Sequence, residues 1–225
     1  QHHLQKQKMF LISVGNVLHI EAQLENVIVR SNIKDSPFTL GDEIISINNN
    51  TIKSYSDFSN VLNSLPDSQN VIEFTLKRNN HIKYKNFKSK LEEEFTDSIS
   101  GFATLTYIDP INNKIGAVAH PISLGSSRKI KIKDGYISTT TNLNIEKSYR
   151  GSVGCISAKP KDYIGKFTDN TDFGIKGDIV KFDTSNYEKY KVASLNEVKG
   201  NAQIILQTSN EGSKKFDIEI LNIEN

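Results

Sequence analysis

Short runs of alternating hydrophobic and polar residues recur along most of the chain, a pattern typical of β-strands. In residues 71–77, for example, Ile72, Phe74 and Leu76 fall on one face, with polar side chains between them. Gly, Pro, Asn and Asp separate the runs, as they do in turns. The pattern predicts strands at residues 27–30, 43–47, 71–77, 81–87, 101–108, 114–120, 129–132, 135–141, 179–182, 202–207 and 216–223.

One segment has the period of a helix instead. Its apolar residues recur at i, i+3, i+4 and i+7 and so form one face: Phe58, Val61, Leu62 and Leu65. Ser54, with Asp57 three residues later, resembles a capping box at the start of this helix, and Pro66 ends it. No amphipathic helix is predicted after residue 100. The predicted fold class is therefore mainly β with one or few helices.

The chain of 225 residues is long enough for two small domains. Residues 88–97 are mostly polar and charged, and we place a linker at 91–100. The remaining boundaries are an N-terminal extension at 1–14, a first domain at 15–90 and a second, all-β domain at 101–225. Many short strands separated by turn signals predict a barrel or a sandwich in the second domain.

Charge and composition argue against a nucleic-acid-binding protein, a disordered chain and a membrane-spanning segment. The 28 basic and 26 acidic residues nearly balance, so no basic surface for nucleic acid is expected. A hydrophobic content of 36% is enough to build folded cores. No stretch approaches the roughly 20 apolar residues that cross a bilayer, so any membrane anchor is expected before Gln1. His2 and His3 are either native or a tag remnant.

Metal and disulfide chemistry are not expected. Cys155 is the single cysteine and is predicted to be a small packing residue. His19 has no second His or Cys at ligand spacing, so the sequence predicts neither a metal site nor a cofactor.

Residues 36–50 carry a first family resemblance. Gly41 allows a tight turn with positive φ, and Asp42 can accept hydrogen bonds from nearby backbone donors. Isoleucines follow as a strand and lead to the predicted helix. This order resembles the core pattern of PDZ domains, Gly-Asp-x-Ile and then Ile-Asn-Gly before a helix. Asn49 stands where that family usually has Gly, and Asn tolerates the left-handed conformation.

The PDZ resemblance implies peptide binding. Such domains bind an extended peptide as an added strand beside a helix. By position, the peptide-facing edge is expected at Val17, Leu18, His19 and Ile20, with the helix after Ser54 as the other wall. The alternative is that these apolar residues simply pack in the core.

His120 is the candidate catalytic residue. It ends the predicted strand at 114–120, after a run of small residues, Gly-Ala-Val-Ala. A histidine held rigidly at a strand end can act as a general base if its pKa lies near the working pH. The alternative is a structural histidine. Ser152, in Gly-Ser-Val-Gly, is predicted to have a structural role.

Several motifs follow one another in a fixed order after the PDZ-like segment. They are Gly-Phe-Ala-Thr-Leu-Thr-Tyr-Ile-Asp-Pro from Gly101, Gly-Ala-Val-Ala-His-Pro-Ile from Gly116, Lys-Asp-Gly-Tyr-Ile from Lys133, an Asn-Thr and Gly-Ile run at 164–177, and Phe-Asp-Ile-Glu-Ile from Phe216. In this order they closely resemble the stage IV sporulation protein B peptidase family.

The resemblance implies a PDZ domain followed by a partial chymotrypsin-like β-barrel unit, with His120 as general base. It implies a serine endopeptidase that cleaves itself and a membrane-bound regulator, and thereby switches on late transcription in the mother cell. The implied location is extracytoplasmic and membrane-anchored, in the space between the two membranes of the developing spore. The implied partners are peptide or protein substrates, including its own chain.

The sequence departs from this family at the nucleophile. The family's aspartate and Gly-x-Ser-Gly loop follow the Phe-Asp-Ile-Glu-Ile segment, and no Gly-x-Ser-Gly occurs in the 225 residues. We therefore expect one of two things: an inactive fragment of a serine peptidase, or a shortened homologue that works as a non-catalytic PDZ peptide-binding module. The DNA downstream of Asn225 would discriminate between them. An incomplete barrel is also expected to expose apolar surface.

Overall fold

The structure is a computed structural model that describes residues 9–31, 33–87, 91–124 and 128–223. The fold is mainly β, as predicted, and the described residues contain one α-helix, α1 at Tyr55–Ser64. The strands are β1 Phe10–Ser13, β2 Val17–Val29, β3 Glu43–Ile47, β4 Asn50–Thr51, β5 Ile72–Arg78, β6 His81–Phe87, β7 Phe95–Asp109, β8 Lys114–Val118, β9 Ser123–Leu124, β10 Arg128–Lys129, β11 Ile132–Glu146, β12 Cys155–Thr171, β13 Gly174–Ile179, β14 Lys189–Lys191, β15 Gly200–Gln207 and β16 Ser213–Ile220. No helix in this described part reaches the length and hydropathy of a membrane span.

The chain divides into two compact units that differ from the predicted domains. The larger unit contains Gln1–Ile20, Ser100–Pro121 and Gly135–Asn225, and the smaller unit contains Glu21–Ile99 and Ile122–Asp134. The predicted boundaries had put residues 15–20 in the first domain and 122–134 in the second. They differ because three long strands, β2, β7 and β11, contribute residues to both units. Hydrophobic alternation along the sequence does not reveal a boundary between units that falls inside a strand.

The larger unit is built on a circuit of six strands. Antiparallel pairs run in the order β7–β8–β13–β12–β11. Strand β2 pairs with both β11 and β7, so the order of paired strands returns to its starting point. Its buried apolar side chains include Leu18, Leu105, Ile115, Ile137, Ile164 and Phe167. Residues 101–225 were expected to form an incomplete barrel, whereas this circuit is completed by a strand from outside that range.

A separate hairpin, β15–β16, lies against the N-terminal residues of the larger unit. The Gln207 amide donates to the Gly15 carbonyl over 2.9 Å, and the Ser213 hydroxyl donates to the Val14 carbonyl over 2.6 Å. Gly15 has φ +78, and a Cβ there would lie 2.6 Å from the Ile205 carbonyl carbon. A side chain at position 15 would therefore push the hairpin away.

The smaller unit has an aromatic-rich core. Its sheet contains β3, β5 and β6 with the later part of β2, and β4 pairs with β3. Fully buried members of the core cluster are Val27, Val29, Phe38, Ile44, Ile47, Ile52, Phe58, Phe74 and Leu76. Partly buried side chains that pack on it include Leu91 and Phe95.

The predicted helix is confirmed. Its N-cap is Ser54, whose hydroxyl accepts a hydrogen bond from the Asp57 amide over 3.1 Å. Phe58 is buried, and Val61 and Leu62 pack on the core as partly buried side chains. The helix ends at the C-cap Leu65, directly before Pro66.

Several strand predictions need correction. The predicted strand at 179–182 is wrong, because Ile179 is the last residue of β13 and the chain then leaves the sheet. Strand β12 was not predicted, because its first nine residues are mostly exposed and include Pro160, which is unusual within a strand. The predicted linker at 91–100 is wrong from Phe95 onward, since those residues begin β7.

Candidate active site and peptide groove

The turn before β8 is fixed by a buried carboxylate. Asp109 is 6% exposed and accepts hydrogen bonds from the Ile111 amide at 3.0 Å and the Asn112 amide at 3.2 Å. The Asn112 side-chain amide donates a further bond over 2.7 Å. These donors, the Asn112 side chain first among them, hold the pKa of Asp109 below its ordinary value. The β7–β8 hairpin therefore has a firmly anchored turn.

Small residues allow β8 to lie close to its neighbour β13. Gly174 is the cross-strand partner of Val118 and has φ +126. A Cβ on Gly174 would lie 2.7 Å from the Ala119 nitrogen and 3.0 Å from the Val118 Cα, both backbone atoms. Only glycine satisfies this conformation and spacing. The backbone just before His120 is thereby held in place.

His120 lies two residues beyond the end of β8 and is exposed. It takes no part in the hydrogen bonds and ion pairs found among the described residues. The structure thus places a solvent-accessible imidazole just beyond the strand, whereas the sequence predicted that the strand would end at His120 itself. A general base of a serine peptidase needs two partners, a serine to deprotonate and an acid that orients the ring. The described residues supply neither by direct contact.

A groove of about 920 Å³ lies beside this strand within the larger unit. Its walls are formed by Thr104, Thr106 and Val118 on one side and by residues of the β15–β16 hairpin, such as Ile204 and Leu206, on the other. Val118 is 57% exposed and lies two residues before His120. An extended peptide could place apolar side chains here, and His120 itself is not part of the groove wall.

The predicted peptide-facing edge does not stand open. Val17, Leu18 and Ile20 are buried, and His19 is half-buried with its ring 5.9 Å from that of Phe102. Strand β2, which contains all four, pairs with β11 and β7. A peptide that adds as a strand needs an unpaired edge, and in this arrangement neighbouring strands pair with β2. The binding role of these four residues stays a prediction.

The smaller unit instead contains a groove between α1 and the end of β2. This space is about 500 Å³ and is lined by Arg30, Tyr55, Phe58, Leu62 and residues of the 91–97 segment. The 91–97 segment belongs to the predicted linker, and its polar composition concealed Phe95 in sequence reasoning. An aromatic residue isolated among charged neighbours could have indicated that Phe95 packs against the fold.

The Gly-Asp motif behaves as predicted. Gly41 has φ +84, and Asp42 accepts a hydrogen bond from the Thr39 amide over 2.8 Å. Asn49 adopts the left-handed conformation at φ 65. The sequence did not reveal that Asp42 is 1% exposed and bonded to the Arg78 guanidinium at 2.7 and 2.5 Å. The hydrogen bond and charge of Asp42 raise the pKa of Arg78.

Two further residues can be placed. Cys155 is exposed, so its prediction as a packing residue is wrong; it begins the solvent-facing half of β12. Ser152 exchanges backbone hydrogen bonds with Tyr149 at 2.9 and 3.1 Å in a tight turn. No group of three or more His, Cys, Asp or Glu residues that could hold a metal ion occurs in the described ranges.

The comparison with protein families decides the wider assignment. The family described as SpoIVB peptidase S55 matches residues 90–225. The chain belongs to this family. The matched range includes His120, strand β8 and the β15–β16 hairpin. Membership supports a hydrolase of the serine peptidase class associated with sporulation. No curated protein and no solved structure matches the chain significantly.

Proposed function

We propose that the chain is the histidine-bearing part of a sporulation serine endopeptidase in which His120 is the general base. The observation that carries this proposal is an exposed imidazole, without a hydrogen-bond or ion-pair partner among the described residues, two residues after a closely packed strand and inside the range that matches the S55 family. Exposure leaves both ring nitrogens available, one for a nucleophile and one for an orienting acid.

The chemistry follows from those two positions. One nitrogen of His120 takes the proton of a serine hydroxyl as the oxygen attacks the peptide carbonyl, and the leaving amine then receives that proton. The sequence has no Gly-x-Ser-Gly, and His120 has no carboxylate partner among the described residues. We propose that residues 1–225 alone do not hydrolyse peptides.

The biological setting belongs to the same proposal. The enzyme would be anchored in a membrane and act in the space between the two membranes of the developing spore. Its substrates would be its own chain and a membrane-bound regulator, and cleavage would release late transcription in the mother cell. Membership of a sporulation peptidase family supports this setting.

A second function is favoured by the smaller unit. We propose that it binds extended peptides in the manner of a PDZ domain. The supporting observation is a groove lined by helix α1, by Arg30 directly after β2 and by residues of the 91–97 segment, whose Glu94 carbonyl accepts a hydrogen bond from the Arg30 amide.

The test of catalysis uses the 225-residue chain and a longer protein that adds the downstream residues. Each is treated with a serine-reactive fluorophosphonate probe and with fluorogenic peptides. We expect neither labelling nor cleavage by the shorter chain and both by the longer one. His120→Ala in the longer protein should abolish cleavage without lowering the melting temperature, whereas His81→Ala, another exposed histidine, should leave cleavage unchanged.

Three outcomes would contradict the proposal. Full activity of His120→Ala would exclude it as the base. Loss of folding in the same variant would make it a structural residue. Labelling of the 225-residue chain would mean that the nucleophile lies among its own residues.

A further inference from the structure

The 91–97 segment lies beside α1 as a bound peptide strand would lie. From Phe95 onward the segment is already part of β7, which pairs with β2. The Arg30 amide donates to the Glu94 carbonyl over 2.8 Å, and the Gln23 side-chain amide donates to the Asp97 carbonyl over 2.9 Å. As residue numbers fall along β2 they rise along the segment, so the two run antiparallel. This is strand addition, a common mode of peptide recognition.

Phe95 is the apolar anchor of the segment. Its ring lies 4.5 Å from the ring of Phe58 on α1 and 5.6 Å from that of Phe38. It remains only partly buried, in contrast to the fully enclosed rings of the core cluster. Phe95 therefore fills the mouth of an aromatic pocket rather than the centre of the core.

Asp97 provides a second, independent contact. Its carboxylate accepts a hydrogen bond over 2.8 Å from the backbone amide of Tyr55, the first residue of α1. Free amides and the helix dipole favour a negative charge at this end of a helix. Residues 95 and 97 are two positions apart in an extended strand, so both side chains point to the same side, towards α1.

We propose that residues 94–97 are an intramolecular ligand of the Phe38–Phe58 pocket and the α1 N-terminus, and that they reveal the partner this surface accepts. That partner is an extended peptide with an aromatic residue followed two positions later by a carboxylate. The aromatic ring enters the Phe38–Phe58 pocket and the carboxylate binds the α1 N-terminus. The inference rests on the proposed peptide-binding function of the smaller unit. It adds the chemistry of the peptide that binds there, and it names residues 94–97 as the segment with which that peptide competes.

Covalent attachment gives the segment a large advantage over any free peptide. A tethered ligand acts at an effective concentration of about millimolar, so a peptide of equal intrinsic affinity binds weakly while the segment is in place. A partner peptide binds well only when the segment is released. The groove is therefore regulated by what happens to residues 94–97.

The experiment uses the full 225-residue chain and a fluorescein-labelled peptide with the sequence of residues 91–99. Peptide affinity is measured by anisotropy, and exchange of the Arg30 amide is measured by NMR. Asp97→Asn weakens the segment without removing an apolar side chain, and Phe95→Ala weakens it further. Glu92→Gln is the matched control, because Glu92 is exposed and its side chain makes none of the groove contacts.

We expect Asp97→Asn to bind the peptide about tenfold more tightly than the unmodified chain, and Phe95→Ala more tightly still. Arg30 exchange should accelerate in both variants and slow again at saturating peptide. Glu92→Gln should match the unmodified chain. A peptide with Ala for Phe and Asn for Asp should not bind.

Different failures have different meanings. Unchanged affinity and unchanged Arg30 exchange in Asp97→Asn, with unfolding of Phe95→Ala, would show that the segment is an integral strand, and the inference would be wrong. Binding of an unrelated apolar C-terminal peptide at α1 without faster Arg30 exchange would also overturn it, while leaving peptide binding by the smaller unit intact. Accelerated Arg30 exchange with no peptide binding would reject peptide binding itself.

Discussion

The two units hold their candidate functional groups by opposite means. In the larger unit, glycine and small residues let backbones approach closely, and His120 projects from a strand whose position depends on Gly174. In the smaller unit, aromatic rings build both the core and the groove, and Phe58 belongs to both. Where backbones pack closely, the side chain of His120 stays exposed and can react. Where aromatic rings pack, they form the walls of a groove. The first suits a catalytic base and the second suits peptide recognition.

The largest effect is expected in the aromatic core of the smaller unit. Phe74 is fully buried, and truncation of such a ring leaves a cavity, so Phe74→Ala should lower the free energy of unfolding by about 3–5 kcal/mol. Phe173→Ala, at a ring that is 85% exposed, should change it by less than about 0.5 kcal/mol. Urea denaturation followed by NMR signals from each unit measures both. If both variants lost the same free energy of unfolding, buried aromatic rings would not be what stabilises the smaller unit.

The next effect tests backbone packing in the larger unit. Gly174→Ala places a methyl group against backbone atoms of residues 117–119 and strains a positive φ, so we expect a loss of about 2–4 kcal/mol. Gly151→Ala is the matched control, because Gly151 has φ +91 but nothing within 4 Å of its added Cβ. Gly151→Ala should lower the free energy of unfolding by only about 1 kcal/mol, because it adds backbone strain without a steric clash.

The same pair of variants reports on His120. Chemical shifts of the His120 ring should move in Gly174→Ala and stay constant in Gly151→Ala. If the two glycine variants lose equal stability, close backbone packing is not what positions β8.

A smaller effect is expected from the buried ion pair of the smaller unit. Asp42→Asn removes the charge that the Arg78 guanidinium contacts, and hydrogen bonds to charged groups are worth about 1.5–3 kcal/mol, so we expect a loss of about 2 kcal/mol. Asp178→Asn breaks the ion pair with Lys114, in which both side chains are more than half exposed, and should lose less than about 1 kcal/mol. Chemical denaturation compares the two losses. A larger loss for Asp178→Asn would contradict the role of burial.

Local signals made some of this structure predictable from the sequence. Ser54 and Pro66 bracket α1 because capping and the lack of a proline amide act within a single turn. Gly41 and Asn49 adopt positive φ for similarly local reasons. His120 could be singled out because small residues precede it, and the structure places it after β8, exposed.

Long-range pairing could not be predicted in the same way. Strand β2 is covered by β7, more than sixty residues away, and alternation within β2 does not reveal its partner. Phe95 was assigned to a linker because its neighbours are charged, although its ring packs on Phe58. The need for glycine at position 174 comes from the backbone of residues 117–119, over fifty residues earlier in the chain, and cannot be read from the local sequence.

The smallest expected effect is a pH dependence confined to the larger unit. Glu197 lies at the end of a single 3₁₀ turn, Leu195–Glu197, and accepts a bond from the Ser194 amide over 2.8 Å and another from the Ser194 hydroxyl over 2.7 Å. These bonds, helped by Lys191, lower the pKa of Glu197 from 4.5 to about 2.

Because the folded pKa of Glu197 is depressed, its ionised form stabilises the fold above pH 4.5, and this contribution disappears as the pH falls to about 2. The melting temperature of the unmodified chain should therefore exceed that of Glu197→Gln at neutral pH, and the difference should shrink between pH 4.5 and about 2. Ser194→Ala, which removes one donor, should shift that window upward. NMR signals from the smaller unit should show no such difference at any pH. A matching change there would mean that the two units do not respond separately to this charge.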